Sequence, residues 1–157
     1  MSKSENQKQK LLALLDILKK NTDEDHGITM VQILEELEAR GVKAERRAIY
    51  TDIDNLTDYG YEIQGNKKGR TYHYSLISRD FELPELKLLV DAVQASKFIS
   101  QKRSNELIKK IESQASRYQA AELQRQVYVA NRVKTNYDNV YICLLYTSDA
   151  ADDLIGV

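Results

Sequence analysis

The segment AERRAIYTDIDNLTDYG, Ala44 to Gly60, reads as one amphipathic helix. Ile49, Ile53 and Leu56 recur at helical spacing on one face. Ala44, Arg47 and Thr51 fall on the opposite face, with Tyr50 on the flank. The charge order is unusual. Arg46 and Arg47 come in the first turn, and Asp52, Asp54 and Asp58 follow. The helix macrodipole favours the reverse order, by about 0.3–1 kcal/mol per charge. A local rule broken without visible compensation marks a candidate functional site. A helix whose first residues approach phosphates in a DNA major groove has a physical reason to break it.

The residues upstream supply a partner for that helix. Leu11, Leu14, Leu15 and Leu18 form the stripe of a first helix over about Gln7 to Lys20, with Leu12 and Ile17 on its flanks. The polar stretch NTDEDHG, Asn21 to Gly27, ends it in a loop. Thr29 is the N-cap candidate of a second helix, because its hydroxyl can accept an orphan backbone N–H. Met30, Ile33, Leu34 and Leu37 give that helix its apolar face, and Gly41 suits its stop. Only Val42 and Lys43 then separate it from the next helix. Two helices joined by so short a turn form the helix-turn-helix pattern.

Downstream of Gly60 the period changes from helical to alternating. Tyr61 and Ile63 alternate with Glu62 and Gln64, and Tyr72, Tyr74 and Leu76 alternate with Thr71, His73 and Ser75. Between them lies Gly65-Asn66-Lys67-Lys68-Gly69, a glycine-bounded polar loop, so a β-hairpin is expected. Lys67, Lys68 and Arg70 stand at its tip with no acid among them. A solvated charged loop is the ordinary reading of such a run. Its position one hairpin after the arginine-led helix favours phosphate contact.

Pro84 marks the start of a further helix with the stripe Leu86, Leu89, Val90 and Val93. Another follows with Leu107, Ile108, Ile111 and Ala115 on one side. The pattern leaves open whether these helices pack back on the first unit or form a dimer seam. The stretch QVYVANRVKTNYDNVYI, Gln126 to Ile142, reads as strand, turn, strand. The expected fold is mainly α with a small β-hairpin. It is a winged helix-turn-helix over residues 1–79 and a helical linker over 80–123.

Bulk properties exclude several classes. The 157 residues carry a formal net charge of -1, so a DNA-binding role must rest on local charge. No apolar run reaches the ~20 residues that span a membrane, and the polar start MSKSENQKQK does not read as a signal peptide. One cysteine, Cys143, forbids an internal disulfide, and the two histidines, His26 and His73, argue against a metal centre of the His/Cys type. A cytoplasmic, cofactor-free protein is expected. Catalysis needs convergent acid, base or nucleophile groups, and none is visible. Gly65 to Gly69 lacks the strand-to-helix context of a phosphate loop.

The run Arg46-Arg47-Ala48-Ile49-Tyr50-Thr51-Asp52-Ile53, followed by Leu56 and Tyr59-Gly60-Tyr61, resembles the recognition helix of bacterial WYL-domain transcriptional regulators. LLALLDILKKNTDEDHGITMVQILEELEARGVKAERR resembles their first two helices, and YVANRVKT, Tyr128 to Thr135, looks like the lead-in to their effector domain. The resemblance covers roughly Leu11 to Ile142. It implies sequence-specific DNA binding, with residues 124–142 the start of a truncated effector domain. Two departures stand out: Thr51 occupies a position where many members carry arginine, and the chain has no tryptophan. The effector domain and its ligand are therefore not carried over. The tail LLYTSDAADDLIGV, from Leu144, looks like translated sequencing-adapter read-through. Residues 143–157 are expected to be non-native, on a truncated gene model.

On this reading the partner is double-stranded DNA, with homodimerisation adding affinity. Arg47 is the base-edge candidate, since arginine can bind guanine O6 and N7 together. Glu45 is placed to accept from a cytosine amine. Arg46 and Tyr50 flank it toward phosphates, and Thr51 toward a phosphate or a thymine methyl. Lys43, Asn66, Lys67, Lys68 and Arg70 are backbone or minor-groove candidates. Asp54 and Asp58 share the exposed face with Arg47 further along, so only the first turns can enter a groove. The alternative is a winged helix that contacts protein only. It calls for apolar residues where Ala44, Arg47 and Thr51 stand.

Overall fold

The computed structural model describes residues 3–126. In chain order these form α1 (Lys3–Asn21), β1 (Ile28–Thr29), α2 (Met30–Ala39), α3 (Arg46–Tyr59), β2 (Ile63–Lys68), β3 (Thr71–Leu76), α4 (Leu83–Ala95), α5 (Gln101–Glu112) and α6 (Arg117–Gln126). The structure is mainly helical, with one three-stranded antiparallel sheet in the order β1-β3-β2. No helix among the described residues is long and apolar enough to cross a membrane. The expected effector-domain start beyond residue 126 and the expected non-native tail lie outside the described residues.

The first three helices close around one apolar core. Leu14, Ile17 and Leu18 of α1 meet Ile33 and Leu37 of α2, Ile49, Ile53 and Leu56 of α3, and Leu76 of β3. Within α1 the expected stripe is rotated. Ile17 is fully buried rather than flanking, and Leu12 is left exposed. Thr29 caps α2 as expected. Its hydroxyl accepts from the Gln32 amide at 3.3 Å, and the Gln32 side-chain oxygen accepts from the Thr29 amide at 2.9 Å. This reciprocal pair is the capping box. Both α2 and α3 end in the same way. The Val42 N–H donates to Leu37 O at 2.9 Å, and the Tyr61 N–H donates to Leu56 O at 3.0 Å. In α3 the reversal turns on Gly60, whose φ of 117° is open to glycine and strained for other residues.

The sheet differs from the expected hairpin in two respects. Ile28, given no role in the sequence reading, and Thr29, read as a helix cap, also pair with Tyr74 and His73 as a short third strand. The hairpin turn is shorter than expected. Asn66, Lys67 and Lys68 belong to β2 and pair with His73, Tyr72 and Thr71, leaving Gly69 and Arg70 as the whole turn. Gly69 has a φ of 65°, and Arg70 has no positive φ. A positive φ at the first central position is the pattern of the type II′ turn, whose twist matches the flanking strands.

Helices α4, α5 and α6 enclose a second, smaller core of Leu86, Val90, Ile108, Ala115 and Leu123. Leu89 of the expected α4 stripe remains exposed. Between the two cores lies a polar joint rather than an apolar seam. Asp23 is 3% exposed. One of its carboxylate oxygens accepts from the His26 amide at 2.8 Å and contacts the His26 ring at 2.7 Å. The other accepts from the Ser116 hydroxyl at 2.5 Å. The same serine oxygen accepts from the Gln119 amide at 3.1 Å and so caps α6. The His26 ring stacks on Tyr118 at 3.9 Å. Arg79 donates to the carbonyls of Lys19 and Thr22 at the end of α1. The helices after residue 80 therefore pack back on the first unit.

Burial alone would push the Asp23 carboxyl up. The hydrogen bonds from Ser116 and His26, together with the nearby His26 ring, outweigh it and hold the group below its ordinary 3.8. A carboxylate with a depressed native pKa stabilises the fold above the unfolded value, and this contribution disappears as pH falls through the native one. Replacing Ser116 removes one of the lowering bonds. Ser116→Ala should therefore cost stability at neutral pH, and the gap to the parent should narrow as pH falls below about 4. A pH-independent remainder of about 0.5–2 kcal/mol is expected from the lost cap. Urea unfolding of both proteins across this pH range tests it; a constant gap would show that Asp23 is not held in this way.

Candidate nucleic-acid interface

Helix α3 presents its face through its core contacts and one buried ion pair. Asp52 lies 3.0 Å from the Lys10 ammonium of α1, and their side chains are only 6% and 10% exposed. The Asp52 oxygen nearest Lys10 is not aligned for a hydrogen bond, so the attraction is mainly one of charge. From the sequence, Asp54 and Asp58 fall on the exposed face and Asp52 is assigned to neither face. Positions 49, 52, 53 and 56 make one continuous helical stripe, which carries Asp52 inward beside Ile49, Ile53 and Leu56. Asp54 and Asp58 are exposed as expected.

The start of the helix also differs. Ala44 and Glu45 precede it, and Ala44 is half-buried against the core rather than on the outer face. Glu45 occupies the N-cap position in extended backbone, with φ -91° and ψ 145°, and its side chain makes no capping bond. No acid stands in the first turn of α3. Arg46 and Arg47 therefore meet the positive end of the helix with no acid in the first turn, and the Glu45 carboxylate just before them is the nearest acid in sequence.

All of the candidate side chains reach solvent. Lys43, Glu45, Arg46, Arg47, Tyr50, Thr51, Asn66, Lys67, Lys68 and Arg70 are each exposed. Among the described residues, none of the cations in this set is in an ion pair. Elsewhere Lys20 and Arg40 share Asp16, and Lys87 pairs with Glu122. Lys97, Lys102, Lys109, Lys110 and Arg125 are likewise exposed and outside these ion pairs, so what sets the candidate cations apart is their grouping at the start of α3 and the hairpin tip.

Two of the candidates are tied down. Arg46 Nε donates to the Tyr50 hydroxyl at 3.2 Å. Tyr50 meets Tyr74 of β3 edge to face, with ring centroids 6.4 Å apart. Burial, and then the neighbouring Tyr50, push the Tyr74 phenol above its ordinary value, while Arg46 partly offsets them. These contacts link the first turn of α3 to the hairpin. The Thr51 hydroxyl donates back to Arg47 O at 3.4 Å. That bond occupies its hydrogen and leaves its oxygen as an acceptor.

The hairpin divides its candidates between two faces. Opposed residues in an antiparallel pair share a face. Lys67 stands opposite Tyr72 and shares the face of Tyr74, Ile63 and Leu76. Asn66 and Lys68 stand on the other face with His73 and Thr71, and Arg70 is in the turn. Sequence reasoning missed Tyr72 and Tyr74 as neighbours of the site. Their alternation with Thr71, His73 and Ser75 was visible, but not which face lay beside α3. No family model, no curated protein and no solved structure matches the chain.

The Lys10–Asp52 pair gives a stability test of how α3 is held. Removing one partner of a buried pair leaves the other charge uncompensated, at a cost of about 3–5 kcal/mol. Asp52→Ala should lower unfolding stability by that order. The double variant Lys10→Met/Asp52→Leu should recover most of it, since apolar replacement of both partners is often neutral. Chemical denaturation of the three proteins checks this; an Asp52→Ala loss below 1 kcal/mol would show that the pair does not hold the helix.

Proposed function

We propose that the chain is a winged-helix DNA-binding module of a bacterial transcription regulator of the WYL type. The first turns of α3 enter the major groove, and the hairpin lies on the flanking backbone or minor groove. The observation that carries this reading is the set of unpaired, exposed cations spread over the lead-in to α3, its first turn and the hairpin tip. The chain as a whole is slightly acidic, so this concentration is local rather than compositional. The resemblance of residues 46–61 to the recognition helix of that family supports it independently.

Within this arrangement the candidates divide by chemistry. Arg47 projects from the face opposite Ile49, Ile53 and Leu56 and is suited to a guanine edge. Arg46 and Tyr50, joined by their hydrogen bond, are suited to one phosphate. Lys43, Lys67, Lys68 and Arg70 supply backbone attraction, and their effect falls with salt. Asp54 and Asp58 repel the phosphates. The helix therefore enters by its N-terminal end and leans away further along.

The test is salt-dependent binding to a random-sequence duplex library. The parent should enrich a motif. Arg47→Ala should relax one position of it, at about 1–3 kcal/mol. Lys67→Ala/Lys68→Ala should weaken all sequences alike and reduce the log–log salt slope by about 2. A parent with neither enrichment nor salt-dependent affinity would favour the protein-contact alternative.

A further inference from the structure

The tyrosine face of the hairpin has a use that the cations do not account for. Opposed residues on this face run outward in three pairs: Ile63 with Leu76, Gly65 with Tyr74, and Lys67 with Tyr72. The first pair is anchored in the core, where Leu76 is fully buried. The second is half-buried against Tyr50 of α3. The third reaches solvent, and Tyr72 is 53% exposed. A large aromatic ring left this open on a strand tip loses the benefit of burial.

The Tyr72 ring lies along the strand rather than away from it. A Cβ on Gly65 would lie 3.6 Å from a Tyr74 ring carbon and 4.0 Å from a Tyr72 ring carbon. The two rings therefore lie beside the strand where Gly65 has no side chain. Tyr74 meets Tyr50, and Tyr50 accepts from Arg46. One ridge thus runs from the first turn of α3 to the hairpin tip: Arg46, Tyr50, Tyr74, Tyr72, with Lys67 opposite its end. An aromatic ring with a polar tip, beside a free cation, suits a surface that offers both apolar sugar carbons and anionic oxygens. The sugar–phosphate backbone of a duplex is such a surface.

We propose that Tyr72 is a backbone-contacting residue of the interface. Its ring packs on a deoxyribose and its hydroxyl donates to the adjacent phosphate, between the strand stretch reached by α3 and that reached by the hairpin turn. The inference rests on the DNA-binding reading and adds a neutral contact to it. Because Tyr72 carries no charge, its contribution is insensitive to salt, unlike that of Lys67.

The experiment measures duplex affinity against salt for the parent, Tyr72→Ala, Tyr72→Phe and Lys67→Ala, with thermal melting of each. Tyr72→Ala should weaken binding about tenfold and leave the salt slope unchanged. Tyr72→Phe keeps the ring and should weaken it about threefold, with melting unaltered. Lys67→Ala should lower the slope by about 0.9. If Lys67→Ala weakens binding but both Tyr72 variants stay within twofold of the parent, the proposal is overturned and the DNA reading stands. If Tyr72→Ala loses both affinity and melting temperature while Tyr72→Phe matches the parent, the ring is a structural support of the hairpin and the phosphate contact is refuted. A parent without salt-dependent affinity removes the DNA reading and this inference with it.

Discussion

The buried Asp23 carboxylate organises the meeting of the two apolar cores. A carboxylate taken from water is stable only if its oxygens find donors. Here the donors come from both sides. His26 supplies its backbone amide and ring from the same loop, and Ser116 supplies its hydroxyl from the head of α6. The neighbouring Thr22 continues the connection. Its hydroxyl donates to Leu18 O at 2.7 Å and accepts from the Leu76 amide at 2.9 Å. One short polar segment thus fixes the end of α1, the inner end of β3 and the start of α6. An apolar seam would hold the same elements with less directional demand. This joint sets their orientation through hydrogen bonds that have few alternative partners.

Charge is used differently at the two ends of the first unit. At the core side of α3, Lys10 and Asp52 cancel each other in a nearly dry setting. At the solvent side, Arg46 and Arg47 stand unpaired against an unfavourable helix end. The first arrangement fixes how far α3 can rotate, because turning it would expose the ion pair and bury polar groups. The second stores a cost that an anion would relieve. A fixed helix whose first turn carries two arginines outside any ion pair is the electrostatic condition that the proposed DNA contact requires.

Much of the architecture was legible because it depends on local chemistry. Thr29, Gly41, Gly60 and Pro84 marked helix ends, and the change of period after Gly60 marked the hairpin. What escaped depends on contacts distant in sequence. Asn21 to Gly27 read as a plain polar loop, since nothing local shows that Asp23 will meet Ser116. Ile28 gave no strand signal, because two residues have no period and their pairing is supplied by β3. Asp52 is a different kind of miss. Its position in the 49, 52, 53, 56 stripe was readable, but an acid is expected outside until its partner Lys10 is known. Among the site candidates, exposure followed from the helical face, while the division of the hairpin residues between two faces depended on the register.

The link between α3 and the hairpin bears on what either can do alone. Arg46, Tyr50 and Tyr74 form a chain of contacts from helix to strand, and the Tyr74 ring lies beside Gly65, where a Cβ would meet it at 3.6 Å, an ordinary contact distance. A hairpin tip with three cations and no such connection would pivot about its base and attract any polyanion. Fastened to α3, on the proposed reading it would accept only phosphates at a set distance from a groove entered by the helix. Sequence reading by Arg47 would then depend on residues that touch no base. They fix the angle at which it arrives.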